Sequence, residues 1–183
     1  MPDPDINPVH IKSGMAMYNS GIALANCLIA DLPMRINHDG VPVTLHLIGQ
    51  LGAGKTTFCQ GVLAGLGYTG RVKSPTYTIV ESYKVDTARL SQVHHFDFYR
   101  IGDPGELELL GIRDYFTSGT LSLIEWPERA DNLLPSPDIM VEISIDSQDA
   151  SNRYLELQSE SPMVQLWLQL WLQAMRSENT QTE

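Results

Sequence analysis

The run Gly49-Gln50-Leu51-Gly52-Ala53-Gly54-Lys55-Thr56 restricts this chain more than any other feature. It fits G-x-x-x-x-G-K-[ST] at every specified position. It follows the apolar run 41–48 and opens a helical pattern from Lys55 to Leu66. Glycines here let successive backbone N–H groups converge on one anion, an approach that a Cβ would obstruct. The following helix presents its positive N-terminal end to the same anion. The pattern is therefore one for phosphates: the lysine reaches the β and γ phosphates of a nucleotide, and the threonine hydroxyl ligates Mg²⁺. By average residue usage, a chance match is expected in fewer than about one chain in a hundred of this length. Gly49, Gly52, Ala53, Gly54, Lys55, Thr56 and Thr57 are the nucleotide-binding residues on this reading, with Lys55 also catalytic.

The context of the motif sets the fold class. Ser13 is placed to cap a helix over Met15–Leu32, with Met15, Tyr18, Ile22, Ala25, Leu28 and Ile29 as its apolar stripe. Asp39-Gly40 marks a turn, and 41–48 reads as a central parallel strand. Further strands are expected over Tyr77–Tyr83, Val93–Phe98, Leu121–Ile124, Ile139–Ile145 and Tyr154–Leu157. Short helices are expected over Gly105–Leu110 and Ile112–Phe116, and a last helix over Pro162–Met175. The alternation predicts one α/β domain over 1–183, P-loop NTPase-like, with a mixed sheet whose central part is parallel and flanked by helices. Residues 1–12 and 177–183 are expected to be flexible ends.

Hydrolysis or transfer needs more than a phosphate loop: a carboxylate for the metal and a group to position the attacking atom. Val93-His94-His95-Phe96-Asp97 ends a strand on an acid, and Leu121-Ser122-Leu123-Ile124-Glu125 ends another in the same way. Ligands gather at the carboxyl ends of strands in α/β sheets, so Asp97 and Glu125 are candidate catalytic residues and Thr56 with Glu125 the candidate metal ligands. His94 and His95 point to opposite faces and cannot share one metal; one is expected packed and one exposed. Ser74-Pro75-Thr76-Tyr77-Thr78 reads either as a loop leading into a strand or as a segment that senses the γ-phosphate.

Composition narrows the function. The 183 residues carry 12 Lys and Arg against 22 Asp and Glu, a formal net charge of −10. Nucleic-acid affinity comes largely from basic groups on phosphates, so direct tight RNA binding is not expected. The first ten residues, MPDPDINPVH, have no basic stretch and do not read as a secretory signal. Met163–Met175 is too short to span a bilayer and carries three glutamines, so no membrane association is expected. Cys27 and Cys59 are far apart with no paired spacing, as in thiols of a reducing cytoplasm.

Beyond the loop, four further segments resemble the TsaE family (also called YjeE), the bacterial ATPase of tRNA threonylcarbamoyladenosine synthesis. They are Val72–Val80, His95-Phe-Asp-Phe-Tyr-Arg100, Glu106–Tyr115 and Ile124-Glu-Trp-Pro-Glu128, in the family's order and spacing. The resemblance implies a Mg-dependent ATPase, slow alone, whose ATP hydrolysis regulates or resets a partner complex. It implies ATP and Mg²⁺ as cofactors, TsaB and TsaD as partners, and tRNA met only through that complex, in the cytoplasm. It places Asp97 and Glu125 at the Mg-ATP site, Glu125 near the metal with Trp126 beside it. It also makes Thr76, Thr78 and Trp126 switch-like and Arg153 a nucleotide neighbour. Gln50 stands where the family usually has aspartate, and Met17 where threonine is common; neither touches the phosphate chemistry.

Two other functions fit a P-loop. A small-molecule kinase usually clamps two polyanions with several arginines, and the eight here are scattered. A GTPase switch is the other, and the chain lacks Asn-Lys-x-Asp for guanine. Arg100 and Arg129 are the nearest candidates for an arginine finger. In the last helix Gln165, Gln169 and Gln173 form a polar stripe. The wide apolar remainder, Trp167 and Trp171 included, is either core or a partner surface.

Overall fold

The computed structural model describes residues 8–31, 42–75 and 77–179. The Asp39-Gly40 turn, Thr76 and the end segments 1–7 and 180–183 lie outside the described residues. Seven strands form one sheet: β1 (Val9–Ile11), β2 (Val43–Ile48), β3 (Val80–Lys84), β4 (Gln92–Asp97), β5 (Thr120–Glu125), β6 (Ile139–Ile145) and β7 (Arg153–Gln158). Their spatial order is β1-β7-β6-β2-β5-β4-β3. The four middle strands run parallel, and antiparallel pairs finish both edges. The helices are α1 (Gly14–Asp31), α2 (Lys55–Gly65), α3 (Gly105–Leu109) and α4 (Pro162–Asn179). This is the mixed α/β, P-loop NTPase-like architecture that the sequence predicts.

The middle strands are buried because both faces of the sheet are covered, the usual condition of parallel strands. Strand alternation sorts their side chains. Val93, Leu121 and Leu123 join the core beneath α1 and α2, while Phe96 and Ile124 join a second cluster with Phe98, Ile101, Leu107 and Ile112. This double cover also corrects the expectation for the histidine pair. His94 and His95 do face opposite sides, but both are buried, at 5% and 0% exposure. His94 Nδ1 bonds Ser82 Oγ at 2.8 Å on its side.

Regular structure reaches residues 9–11 and 177–179, inside the end segments that the sequence sets apart. Val9 and Ile11 are buried where β1 pairs with β7, a three-residue strand too short to show as a pattern. Helix α4 continues past Met175 to Asn179. Trp171 belongs to the core: it is buried and its Nε1 donates to the Ser20 carbonyl at 3.0 Å. Gln165, Gln169 and Gln173 are exposed as expected, and the side chains of Leu166 and Trp167 lie outside the described residues.

Helices α1 and α2 cross with their backbones almost touching. A Cβ on Gly61 would stand 2.0 Å from the Tyr18 carbonyl oxygen, and one on Gly21 would stand 2.3 Å from that of Phe58. Replacing a helix-interior glycine by alanine normally gains about 1 kcal/mol of helix propensity. Here the clash with rigid backbone outweighs it, so Gly61→Ala should cost roughly 1–3 kcal/mol. The check is a lower urea midpoint at unchanged slope, and a midpoint at or above wild type would contradict the crossing.

His46, on β2, is buried, its Nε2 has no hydrogen-bond partner among the described residues, and burial pushes its pKa down from 6.5 to about 4. The unfolded chain therefore takes up this proton at a higher pH than the folded chain. Stability rises with pH across that window and is lost as pH falls from 6.5 towards 4. Burial lowers the pKa of His94 too, which acts in the same direction. His46→Leu should flatten the stability curve over this interval, measured by urea unfolding at several pH values; an unaltered slope would contradict the account.

Candidate functional site

The site begins where β2 ends. Gly49 leaves the sheet so close to β6 that a Cβ would lie 2.3 Å from the Ile143 carbonyl oxygen. Gly54 caps α2 at φ 113, a region costly for any residue with a Cβ. Between them Ala53 N donates to the Gln50 carbonyl at 3.1 Å, which closes the loop on itself. Arg153, at the start of β7, holds the loop from behind. Its Nε donates to the Ala53 carbonyl and Nη2 to that of Gly52, both at 3.2 Å. Nη1 donates to the carbonyls of Ala150 at 2.6 Å and Asn152 at 2.8 Å. In a trans peptide N–H and C=O point oppositely, so anchoring the Ala53 carbonyl aims the Gly54 N–H away from Arg153.

In front of the loop is a cavity of about 420 Å³ lined by Gly52, Gly54, Lys55, Thr56, Thr57, Asp97, Glu125 and Trp126, with Leu51, Ser74, Tyr99 and Arg100. Lys55 is buried and its Nζ donates to the carbonyls of Gly49 at 2.6 Å and Gln50 at 3.0 Å. The same ammonium lies 4.0 Å from the centre of the Trp126 ring, in cation–π range. Burial pulls the Lys55 pKa down, and the neighbouring carboxylates of Glu125, Asp97 and Glu128 pull it back up.

The two acids arrive by register. In parallel β4 and β5, Asp97 stands opposite Glu125, and β2 sets Leu47 opposite Glu125 on the other side. Thr56 Oγ1 donates to Glu125 Oε1 at 2.8 Å. Asp97 accepts from Ser74 Oγ at 3.2 Å and from the Tyr99 amide at 3.0 Å. Trp126 follows Glu125 with φ 60, a left-handed conformation that costs an aromatic residue of order 1–3 kcal/mol. That turn swings its ring over Lys55 and against Tyr99, whose ring centre is 5.0 Å away.

The donor set suits a hard cation beside a polyphosphate. A hydroxyl already donating to a carboxylate keeps lone pairs for a metal, and Glu125 would supply charge. The ammonium and the loop amides would meet phosphate oxygens.

The structure thus gathers Gly52, Gly54, Lys55, Thr56, Thr57, Asp97, Glu125 and Trp126 around one space, with Gly49 and Ala53 shaping the loop behind it. Two predicted residues stand elsewhere. Arg153 serves the back of the loop rather than the cavity. Thr78 Oγ1 donates to Glu81 Oε1 at 2.9 Å in an exposed turn and does not line the cavity. Thr76 lies outside the described residues. Met17 is buried with its Cγ 3.3 Å from where a Cβ on Gly54 would be, under the loop. Of the arginine-finger candidates, Arg100 lines the cavity, with its guanidinium 4.5 Å from the Tyr77 ring centre. Arg129 is exposed and is not among the lining residues. Sequence reasoning took Ser74 only as part of the 74–78 segment and did not single out Tyr99, an aromatic two residues past an acid that gave no spacing signal.

Fold and loop together define the P-loop NTPase-like class. A family model described as threonylcarbamoyl adenosine biosynthesis protein TsaE matches residues 15–155, and the chain belongs to that family. Relatives named tRNA threonylcarbamoyladenosine biosynthesis protein TsaE include one from Haemophilus influenzae, 49% identical over 106 residues, covering 58% of this chain and 65% of the relative. One from Bacillus subtilis is 40% identical over 105 residues, covering 57% and 63%. One from Rickettsia bellii is 35% identical over 115 residues, covering 62% and 76%. The match thus spans a little under two thirds of the first two proteins' own lengths. In fold the chain is similar to the crystal structure of Bacillus subtilis YdiB, with a TM-score of 0.65, 24% identity, and coverage of 92% of this chain and 95% of that one.

If Arg153 acts on the loop, Arg153→Ala should speed hydrogen exchange at the amides of residues 52–54 without any ligand present. Affinity for inorganic triphosphate should fall about tenfold, or 1.4 kcal/mol. Unchanged exchange in the ligand-free variant would contradict the bracing role.

Proposed function

We propose that this chain is the Mg-dependent ATPase of the bacterial machinery that makes threonylcarbamoyladenosine in tRNA, and that its hydrolysis regulates or resets the partner complex. The hydrogen bond at 2.8 Å between Thr56 Oγ1 and Glu125 Oε1 carries this reading, because it joins the phosphate loop to a strand-end acid at a single point. A magnesium ion there would neutralise charge on the β and γ phosphates as the terminal one leaves.

The chain's own groups do the rest. Lys55 exchanges the Gly49 and Gln50 carbonyls and the Trp126 face for phosphate oxygens, a substitution of stronger charged partners for neutral ones. The loop amides and the start of α2 hold the remaining phosphate charge. Asp97, which accepts from Ser74 and the Tyr99 amide, would orient the attacking water. Among the described residues Arg100 is the one arginine on the cavity wall, too few cations for the clamped transfer between two polyanions that a small-molecule kinase performs.

With a net charge of −10, the chain leaves the RNA to its partners, which we expect to be the TsaB and TsaD proteins. Among the described residues no helix is long and apolar enough to cross a membrane; our reading places the protein in the cytoplasm.

ATP turnover measured with and without the partner proteins tests this. Lys55→Ala should weaken Mg-ATP binding roughly 10–100-fold through lost charge-assisted bonds. Glu125→Ala should keep binding within a few-fold and lose turnover by about two orders of magnitude. The isolated wild-type chain should be slow and the complex faster. Isolated turnover in the range of about 1–100 per second typical of kinases would contradict the proposal.

A further inference from the structure

Glu125 does not rest on Thr56 alone. His95, fully buried on β4, places Nε2 at 2.8 Å from the same Oε1 that Thr56 bonds. The register explains the meeting. His95 stands opposite Leu123, two residues before Glu125, so both side chains leave the same face of the sheet. Cys59 on α2 closes the other side; its Sγ, a His95 ring nitrogen and a Glu125 oxygen lie within 4.8 Å of one another.

The hydrogen positions follow from the surroundings. Among the described residues His95 Nδ1, which is buried, has no hydrogen-bond partner. A proton there would strand an N–H donor away from any acceptor, whereas a bare ring nitrogen costs less. The tautomer that fits carries its proton on Nε2 and donates it to Glu125. Oε1 thus accepts two donors, and Oε2 is the oxygen left for a cation or its bound water.

The neighbouring lysine shows why a carboxylate needs such a hold. Lys55 and Glu125 are opposite charges lining the same cavity, yet among the described residues they form no ion pair within 4.0 Å. A carboxylate able to swing would collapse onto that ammonium, and both groups would be lost to the nucleotide.

We propose that His95 is a positioning residue which, through its Nε2–H, holds the Glu125 carboxylate in the orientation that receives magnesium. This rests on the reading of Glu125 as the metal-side acid. The arrangement is that of outer-shell donors in other metal sites, whose removal typically costs about 10–100-fold in metal affinity or activity.

The test compares two amides of similar polarity. In His95→Gln the side-chain N–H sits near the position of Nε2 and still reaches Glu125; in His95→Asn it sits near Nδ1 and does not. Both are measured with the partner proteins present, for kcat, KM for ATP, and the Mg²⁺ concentration giving half the maximal rate. Thermal unfolding is recorded alongside. His95→Gln should stay within about threefold of wild type. His95→Asn should lose 10–100-fold in kcat and need about tenfold more Mg²⁺ at similar KM. Equal behaviour of the two variants, or a loss in both that follows their unfolding temperatures alone, would overturn the proposal. Glu125→Ala in the same assay separates the two claims. If it leaves the Mg²⁺ requirement and rate unchanged, the underlying reading of Glu125 fails; if it abolishes turnover while His95→Asn remains normal, only the positioning claim fails.

Discussion

The parallel register of β2, β5 and β4 is the constraint on which this site depends. It sets Leu47, Glu125 and Asp97 level with one another, so that the loop leaving β2 and the acids ending the two neighbouring strands meet at one edge of the sheet. A slip of one residue would turn every side chain of a strand to the other face. Glu125 would then enter the apolar cluster around Phe96 and Ile124, away from the loop. The apolar side chains that fix the register, Val93, Leu121 and Leu123, are therefore what brings the two acids to the loop.

Around that frame the polar groups divide the work by direction. Loop carbonyls of Gly52 and Ala53 are drawn backwards by Arg153, those of Gly49 and Gln50 occupy Lys55, and Thr56 reaches across to β5. Each bond is modest in net energy, roughly 0.5–1.5 kcal/mol for a neutral pair and more for a charged one. Their value lies in holding donors where charge will appear, since groups already oriented need no reorganisation when a ligand arrives. Trp126 shows what such placement requires: a strained backbone at the end of β5 that brings an indole over the buried ammonium.

Much of this was legible in the sequence because its causes are local. The glycine spacing and the lysine after it announce the loop, and largely apolar runs at 43–48 and 121–124 announce strands covered on both faces. Two acids at matching strand ends were enough to place Asp97 and Glu125. What escaped was non-local. Gly21 and Gly61 matter because two helices cross there, and nothing near either residue encodes the crossing. His95 looked like one of a pair split between core and solvent; covering the second face buried both. Arg153 was placed beside the nucleotide by resemblance, yet its partners are carbonyls a hundred residues away in sequence, a choice visible only once β7 lies beside the loop. Thr78 was read with its hydroxyl-rich neighbours, and a bond to Glu81 takes it out of the cavity's wall.

From membership of the TsaE family and the geometry of the cavity we propose one account, in which a phosphate loop, its threonine and the acid of β5 would hold magnesium together. The most direct measurement is the position of Mn²⁺, located by its anomalous scattering in crystals grown with a non-hydrolysable ATP analogue. The account predicts the ion against Thr56 Oγ1 and on the Glu125 side of the triphosphate, directly or through one water. A triphosphate lying outside the Gly52–Thr56 loop, or a metal remote from both side chains, would contradict it.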